Sequence, residues 1–321
     1  MILLSFALLV IGFVILVYGA DLLVDSASTL AHKLNVSDLV IGLTIVAFGT
    51  SAPELAVNIF AAIDKNTDLI LGNILGSNIL NIAVILGITS IIYPLSVKKN
   101  TTWVEIPSTF LASIVLFIMA NDIMIDLAER SELGRSDGMI LLLFFILFMG
   151  YNIFLAMTGR NPGDEIDVKN YSTQASVFYI LIGLVMLTAG GHLIVDSAIS
   201  IAETLGISQR IIALTIVSFG TSLPELATSV AAARKKNVDM AIGNIVGSNL
   251  FNSFLVLGIS SVIFPVNINM FNNIDIYMNI FISFMLFVFI FNGRDRKLVR
   301  WEGILLIVFY LVYASTFFFW K

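Results

Sequence analysis

Two glutamates sit where an acid is hardest to keep. Glu54 ends the phrase Ala47-Phe48-Gly49-Thr50-Ser51-Ala52-Pro53-Glu54 inside one apolar run, and Glu225 ends Ser218-Phe219-Gly220-Thr221-Ser222-Leu223-Pro224-Glu225 inside another. A charged side chain at bilayer depth costs at least about 2.5–3.5 kcal/mol, so such acids face a polar cavity and mark an ion path. Thr50 lies four residues before Glu54 and Ser51 three, which puts two hydroxyls and a carboxylate on one helix face. Pro53 lacks an N–H, so the Gly49 carbonyl loses its helical partner and the helix kinks or breaks. Hydroxyls, a carboxylate and freed carbonyls form the oxygen set that a hard cation takes. A structural acid paired with a base is the alternative, but no Lys or Arg lies within the apolar segments near either glutamate.

A second paired phrase follows each of these. It reads Gly72-Asn73-Ile74-Leu75-Gly76-Ser77-Asn78-Ile79-Leu80-Asn81 and, later, Gly243-Asn244-Ile245-Val246-Gly247-Ser248-Asn249-Leu250-Phe251-Asn252. The glycines are spaced for close helix approach, which is their first reading. Ser77 shares a face with Asn81, and Ser248 with Asn252. Interhelical glue is the plain role for these four. Polar density of this kind in hydrocarbon argues for a place beside the glutamates instead.

The elements that must carry these phrases are membrane helices. Of 321 residues 58% are hydrophobic and 12% charged, and the mean hydropathy is +0.99. That composition excludes a soluble domain and predicts an all-α polytopic membrane protein. Ten apolar segments lie near 2–29, 38–63, 69–93, 102–121, 137–157, 174–203, 209–233, 239–264, 273–291 and 300–319. The apolar start, with no basic flank, reads as the first membrane helix rather than a cleaved signal. The first and sixth segments are long enough to tilt strongly. Cysteine is absent and only His32 and His192 are present, which leaves no cluster for thiol chemistry, a Cys-zinc site or an intramembrane metalloenzyme.

The two halves align at a constant offset of 171 residues, which relates Asp25 to Asp196, Glu54 to Glu225, Asn81 to Asn252 and Pro94 to Pro265. Over 41–94 and 212–265 about 31 of 54 positions are identical, so the chain is a duplication. Five spans per half is an odd number, which places the halves in opposite orientations: residues 1–157 and 173–321 form inverted five-helix repeats, with helices two and seven broken. Residues 158–172 are a short polar linker between them. One face collects Lys65, Arg130, Arg135, Arg210 and Lys321. The other collects Lys33, Lys98, Lys99, Arg160, Lys169, Arg234, Lys235, Lys236, Arg294, Arg296, Lys297 and Arg300. The second face, linker included, is therefore expected in the cytoplasm of a cell-membrane protein, with both termini outside.

Some charges fall outside the paired phrases. Asp25 and Asp196 are expected to be solvated at the interface or to cap, with an ion-entrance role as the alternative. Asp122, Asp126, Glu129 and Glu132 read as a solvated acidic loop. Arg234 and Lys235 have no basic counterparts, since Ile63 and Asp64 stand there, and serve first as a topology signal.

The paired Gly-Thr-Ser-x-Pro-Glu and Gly-Asn-Ile-x-Gly-Ser-Asn phrases resemble the alpha-repeats of the cation/calcium exchanger superfamily, most of all those of prokaryotic sodium/calcium exchangers. The resemblance covers nearly the whole chain. It implies a core of helices two, three, seven and eight, against which helices one and six slide. Carried over by motif position, its cation ligands fall on Ala47 (backbone), Thr50, Ser51, Glu54, Ser77 and Asn81, and on Ser218 (backbone), Thr221, Ser222, Glu225, Ser248 and Asn252. Potassium-dependent members, and some microbial members, carry Asp where this chain has Asn252, so the resemblance argues against K+ co-transport. No large calcium-sensing domain is present, no cofactor is implied beyond the transported Ca2+ and Na+, and neither nucleic acid nor an obligate protein partner is expected.

Two ionised glutamates give a pocket charge of −2, which one Ca2+ cancels and three Na+ overfill by one. Exchange of three for one would then move one net charge. A Ca2+/H+ antiporter of the same superfamily is the alternative, with protons on the glutamates. A cation channel would use the same acids as a selectivity ring, but two broken helices at a repeat interface favour a transporter.

Overall fold

A computed structural model of the chain describes residues 2–97, 101–125, 127–158, 169–205, 218–292 and 296–319. The regular secondary structure among the described residues is helical apart from two pairs of two-residue strands. Besides the short helical turns Thr101–Glu105 and Asp122–Ile125, the helices are α1 (Ile2–Leu34), α2 (Asp38–Thr50), α3 (Ala52–Ile63), α4 (Thr67–Ile92), α5 (Ile106–Met119), α6 (Arg135–Thr158), α7 (Thr173–Thr204), α8 (Ser218–Thr221), α9 (Leu223–Arg234), α10 (Val238–Ile263), α11 (Met270–Asn292) and α12 (Arg300–Phe319). Among the described residues six helices are long and apolar enough to cross a membrane, or seven if the bent pair α2 and α3 makes one span. The other expected spans fall on the shorter Trp103–Met119, on Arg300–Phe319, and on α8 with α9, whose leading residues 206–217 lie outside those described. The linker's 159–168 and the basic residues Lys98, Lys99, Arg160, Arg210, Arg294 and Lys321, with Asp126, also lie outside.

The break expected at Pro53 is present. Ser51 leaves helical geometry at φ −85°, ψ 5°, and α3 starts at Ala52 with Pro53 in its first turn, where the missing N–H costs nothing. α2 and α3 meet at 47°. Ser222 repeats the break at φ −89°, ψ 5°, ahead of Pro224.

Tight turns of matching sequence then bring α4 back along α3, and α10 along α9. Lys65 and Lys236 take left-handed backbones at φ 59° and 60°. The Asn66 N–H bonds the Ala61 carbonyl and the Asn237 N–H the Ala232 carbonyl, both at 2.8 Å, which closes each helix end. Asn66 and Asn237 then cap the next helices, accepting from Leu69 N and Met240 N at 3.1 Å.

α4 and α10, which carry the Gly-Asn-Ile-x-Gly-Ser-Asn phrases, are the centre of the molecule, 78% and 83% buried. Each contains a π-helical turn at its final site asparagine, Asn81–Leu86 and Phe251–Val256, a local widening that recurs at functional sites. α1 and α7 pack along each other on the outside. Gly12 lies against the Gly190 carbonyl and Gly19 against the Gly183 carbonyl, with no room for a Cβ. Leu4, Val10, Phe13 and Val17 on α1 are exposed, as suits a lipid-facing surface.

The close-approach reading of the glycines holds for the second half. A Cβ on Gly243 would stand 2.7 Å from the Leu39 carbonyl, and one on Gly247 would stand 2.7 Å from Ala47 Cβ and 2.9 Å from the Leu43 carbonyl. Gly72 meets nothing within 4 Å among the described residues; the stretch that would mirror 39–43, residues 210–214, is outside them. Gly247→Val is therefore expected to destabilise by about 1–3 kcal/mol through overpacking, read as a lower melting temperature than the parent's in detergent.

The expectation that Asp25 caps a helix or is merely solvated is corrected. It lies well inside α1, 15% exposed, and pairs with Lys169 at 2.8 Å and Lys235 at 2.7 Å. Asp196 is exposed, again inside its helix. Lys235 is thus more than a topology signal. Asp122 is not merely solvated either, since its Oδ2 accepts the Glu132 N–H at 3.0 Å and so shapes its own loop.

Candidate functional site

The two helix breaks meet at the centre of the protein and bring all the expected side chains with described surroundings into one buried cluster. Thr50, Ser51, Glu54, Ser77, Asn81, Ser222, Glu225, Ser248 and Asn252 are at most 3% exposed. Thr221 is half-buried beside them. Ala47 is fully buried on α2. Ser218 opens α8, with its side chain outside the described set.

The hydrogen bonds cross between the halves. Thr50 Oγ1 donates to Asn244 Oδ1 at 3.1 Å, and its mirror, Thr221 Oγ1, donates to Asn73 Oδ1 at 3.3 Å. Asn81 Nδ2 donates to Asn249 Oδ1 at 2.9 Å, and Asn252 Nδ2 to Asn78 Oδ1 at 3.2 Å. A hydroxyl whose proton is committed in this way keeps its lone pairs for another partner. The Ala47 carbonyl accepts the Ser51 N–H at 3.0 Å and retains a second lone pair when Thr50 turns to Asn244.

The two glutamates use identical parts differently. Glu225 Oε1 accepts from Ser51 Oγ at 3.1 Å and from Ser248 Oγ at 3.4 Å. The mirror donors for Glu54 would be Ser222 and Ser77, but Ser222 Oγ donates to Ser77 Oγ at 3.2 Å instead. Thr221 and Ser222 stand near the Glu54 carboxylate, yet their protons go elsewhere, so neither Glu54 oxygen accepts a hydrogen bond. The carboxylates lie close enough to repel each other, and no Lys, Arg or His offsets either one among the described residues.

What remains is a set of acceptors without donors. Glu54 Oε1 and Oε2, Glu225 Oε2, Asn81 Oδ1 and Asn252 Oδ1 are all buried and unpaired. A buried acceptor left unpaired costs about 1–3 kcal/mol, and more if charged. Such a cluster is stable only when a cation or water enters it. Its chemistry is all oxygen, with two carboxylates, two amides and flanking hydroxyls, and suits hard cations of the Na+ and Ca2+ type.

Several residues at the site were not anticipated. Asn58, one turn beyond Glu54, is fully buried; its Nδ2 bonds the Glu54 carbonyl at 2.8 Å and its Oδ1 has no partner. Its spacing of four from Glu54 was a signal for it. Asn73, Asn244, Asn78 and Asn249 stand inside the paired phrases but are revealed as partners of the site only by the crossing of the halves.

The family described as "sodium/calcium exchanger protein" matches this chain over residues 4–154 and 175–319. The chain belongs to that family. The "Sodium/calcium exchanger MaX1" of Methanosarcina acetivorans is 32% identical, with 99% of this chain and 100% of that protein aligned. The "Inner membrane protein YrbG" of Escherichia coli is 32% identical over 98% of this chain and 96% of its own length. The solved structure of the sodium-calcium exchanger NCX_Mj soaked with Na+ and Sr2+ superposes with a TM-score of 0.84 at 32% identity, covering 98% and 99% of the two chains. The resemblance carried by the paired motifs is borne out. This member of the sodium/calcium exchanger family is an all-α, multi-pass membrane protein that exchanges cations for Ca2+.

Proposed function

We propose that this exchanger is a secondary antiporter that moves Na+ one way and Ca2+ the other through the central cluster, by alternating access and independently of K+. The observation that carries this reading is the set of buried acceptors left without donors between Glu54 and Glu225. Ala47 and Ser218 carbonyls, Thr50, Ser51, Glu54, Ser77 and Asn81, with Thr221, Ser222, Glu225, Ser248 and Asn252, serve as the ligands. Both ions compete for the same carboxylates, so neither can ride with the other. The amide of Asn252 withholds the extra negative charge that a K+ site would use.

The architecture proposed for this is ten spans in two inverted repeats, 1–157 and 173–321, joined by a cytoplasmic linker, with both termini outside. The 171-residue offset and the crossing, mirror-paired hydrogen bonds at Thr50 and Thr221 support it. The excess of Lys and Arg on one face supports the orientation.

Proteoliposomes loaded with Na+ and diluted into Na+-free medium are expected to accumulate radioactive Ca2+. Collapse of the Na+ gradient with an ionophore should stop uptake, and a pH gradient alone should drive none. Ca2+ uptake driven by the pH gradient without Na+ would assign the coupling ion to H+. Ca2+ flux that needs no gradient, seen as unitary currents, would make the protein a channel.

A further inference from the structure

An amide has two ends of nearly equal shape and opposite charge, so an asparagine serves a cation only if its oxygen faces inward. The structure shows what decides that. Asn249 Nδ2 donates to the backbone carbonyl of Asn78 at 3.2 Å. A carbonyl only accepts, so this bond fixes which end of Asn249 is nitrogen. Its Oδ1 must then face Asn81, and it takes Asn81 Nδ2 at 2.9 Å, which leaves Asn81 Oδ1 buried and unpaired. On the other side the anchor is different: Asn78 Nδ2 donates to Ser253 Oγ at 3.0 Å, a hydroxyl that can serve either end of an amide, and Asn78 Oδ1 takes Asn252 Nδ2 at 3.2 Å. Asn252 Oδ1 is likewise left unpaired. All four asparagines are at most 2% exposed, so water does not compete for these bonds.

We propose that Asn78 and Asn249 are positioning residues, each locking the site asparagine of the other half so that its oxygen, and not its nitrogen, faces the cation. This rests on the reading above that Asn81 and Asn252 are cation ligands. The test is Ca2+ binding by titration calorimetry on detergent-purified protein. Asn249→Ala is expected to raise the Ca2+ Kd about tenfold, because Asn81 can then turn its NH2 group inward. In an Asn81→Asp background the same substitution should cause no weakening, since a carboxylate offers oxygen from either end. An equal rise in both backgrounds, or none in the parent, overturns the orienting role. An Asn81→Ala variant that leaves the Kd unchanged would instead remove the ligand assignment beneath it. If Asn249→Ala does not fold, the mirror set of Asn78→Ala with and without Asn252→Asp reads the same quantity.

A separate observation concerns the long helices. Lys235, just beyond α9, bonds the Asp25 carboxylate on α1 at 2.7 Å, the Asp21 carboxylate at 3.3 Å and the Asp21 carbonyl at 3.0 Å. Lys169 closes on the other oxygen of Asp25 at 2.8 Å. The duplication puts Asp64, His192 and Asp196 at the positions mirroring Lys235, Asp21 and Asp25. These three are exposed, and no ion pair joins them among the described residues. α1 packs along α9, whereas the mirror pair, α7 and α3, makes no comparable contact. We infer that Lys235 is a one-sided latch: it holds α1 closed over α9 on one face, while Asp64 and Asp196 would repel if α7 closed over α3 on the other. The pairing therefore biases the exchanger against opening on the Lys235 face.

Absence of cysteine makes this directly testable. A cysteine placed at Ser28, which is 4% exposed and bonded by Asn237 beside the latch, reports opening through its rate of maleimide labelling. Lys235→Ala is expected to speed labelling about tenfold, and Lys235→Arg to leave it within twofold. Asp64→Lys, which rebuilds a pair on the opposite face, should also speed labelling. Unchanged labelling in both Lys235→Ala and Asp25→Asn would overturn the latch.

Discussion

Glu54→Gln is expected to abolish Na+-driven Ca2+ uptake, and Glu225→Gln to do the same. Each change keeps the side-chain shape, removes one negative charge and replaces an acceptor with a donor. At Glu225 the surviving oxygen can still take Ser51 and Ser248, so the amide nitrogen lands where Oε2 now stands unpaired. At Glu54 no donor holds either oxygen, so nothing fixes the orientation of the new amide. Removing one charge from a buried ionic contact costs about 3–5 kcal/mol, or a Ca2+ affinity at least about 100-fold weaker at 1.4 kcal/mol per decade. The variants should still elute as folded protein, because each carboxylate is surrounded by oxygens rather than by a base whose charge would be stranded. Uptake within tenfold of the parent in either variant would contradict this.

Membrane potential should have the second large effect. With two ionised glutamates, one Ca2+ would leave the site neutral and three Na+ would leave it at +1, so the expected exchange of three for one would carry one charge per cycle. A charge crossing 100 mV is worth about 2.3 kcal/mol, which shifts the equilibrium Ca2+ ratio about 40-fold. Proteoliposomes clamped with K+ and valinomycin should show that shift in steady-state Ca2+ content. A ratio indifferent to potential would mean two Na+ per Ca2+.

Much of the site could be read from the sequence because its chemistry is costly to hide. A glutamate after a proline in an apolar run has few explanations, and its recurrence 171 residues later leaves fewer. The breaks at Ser51 and Ser222 and the burial of both acids follow directly. What could not be read is which half serves which. Ser51 and Ser222 stand in identical phrases, yet one bonds a glutamate and the other a serine. That inequality belongs to a conformation, and two copies of one motif carry no trace of it. Asn78 and Asn249 were visible in the paired phrases, but their partners lie across the repeat interface, where sequence spacing says nothing. Lys235 was read as a topology marker because its ion-pair partners, Asp21 and Asp25, lie 214 and 210 residues away. The helix ends at Lys65-Asn66 and Lys236-Asn237 are set by local bonds in both halves alike.

The central claim is that Glu54 and Glu225 share one Ca2+. Anomalous diffraction from crystals soaked in Sr2+, which stands in for Ca2+, tests it most directly. A single strong peak is expected between the two carboxylates, within about 2.3–2.6 Å of oxygens from both for Ca2+ itself and slightly farther for Sr2+, and Na+ should displace it. A peak bound by only one of the glutamates, or one that excess Na+ leaves in place, would contradict the claim.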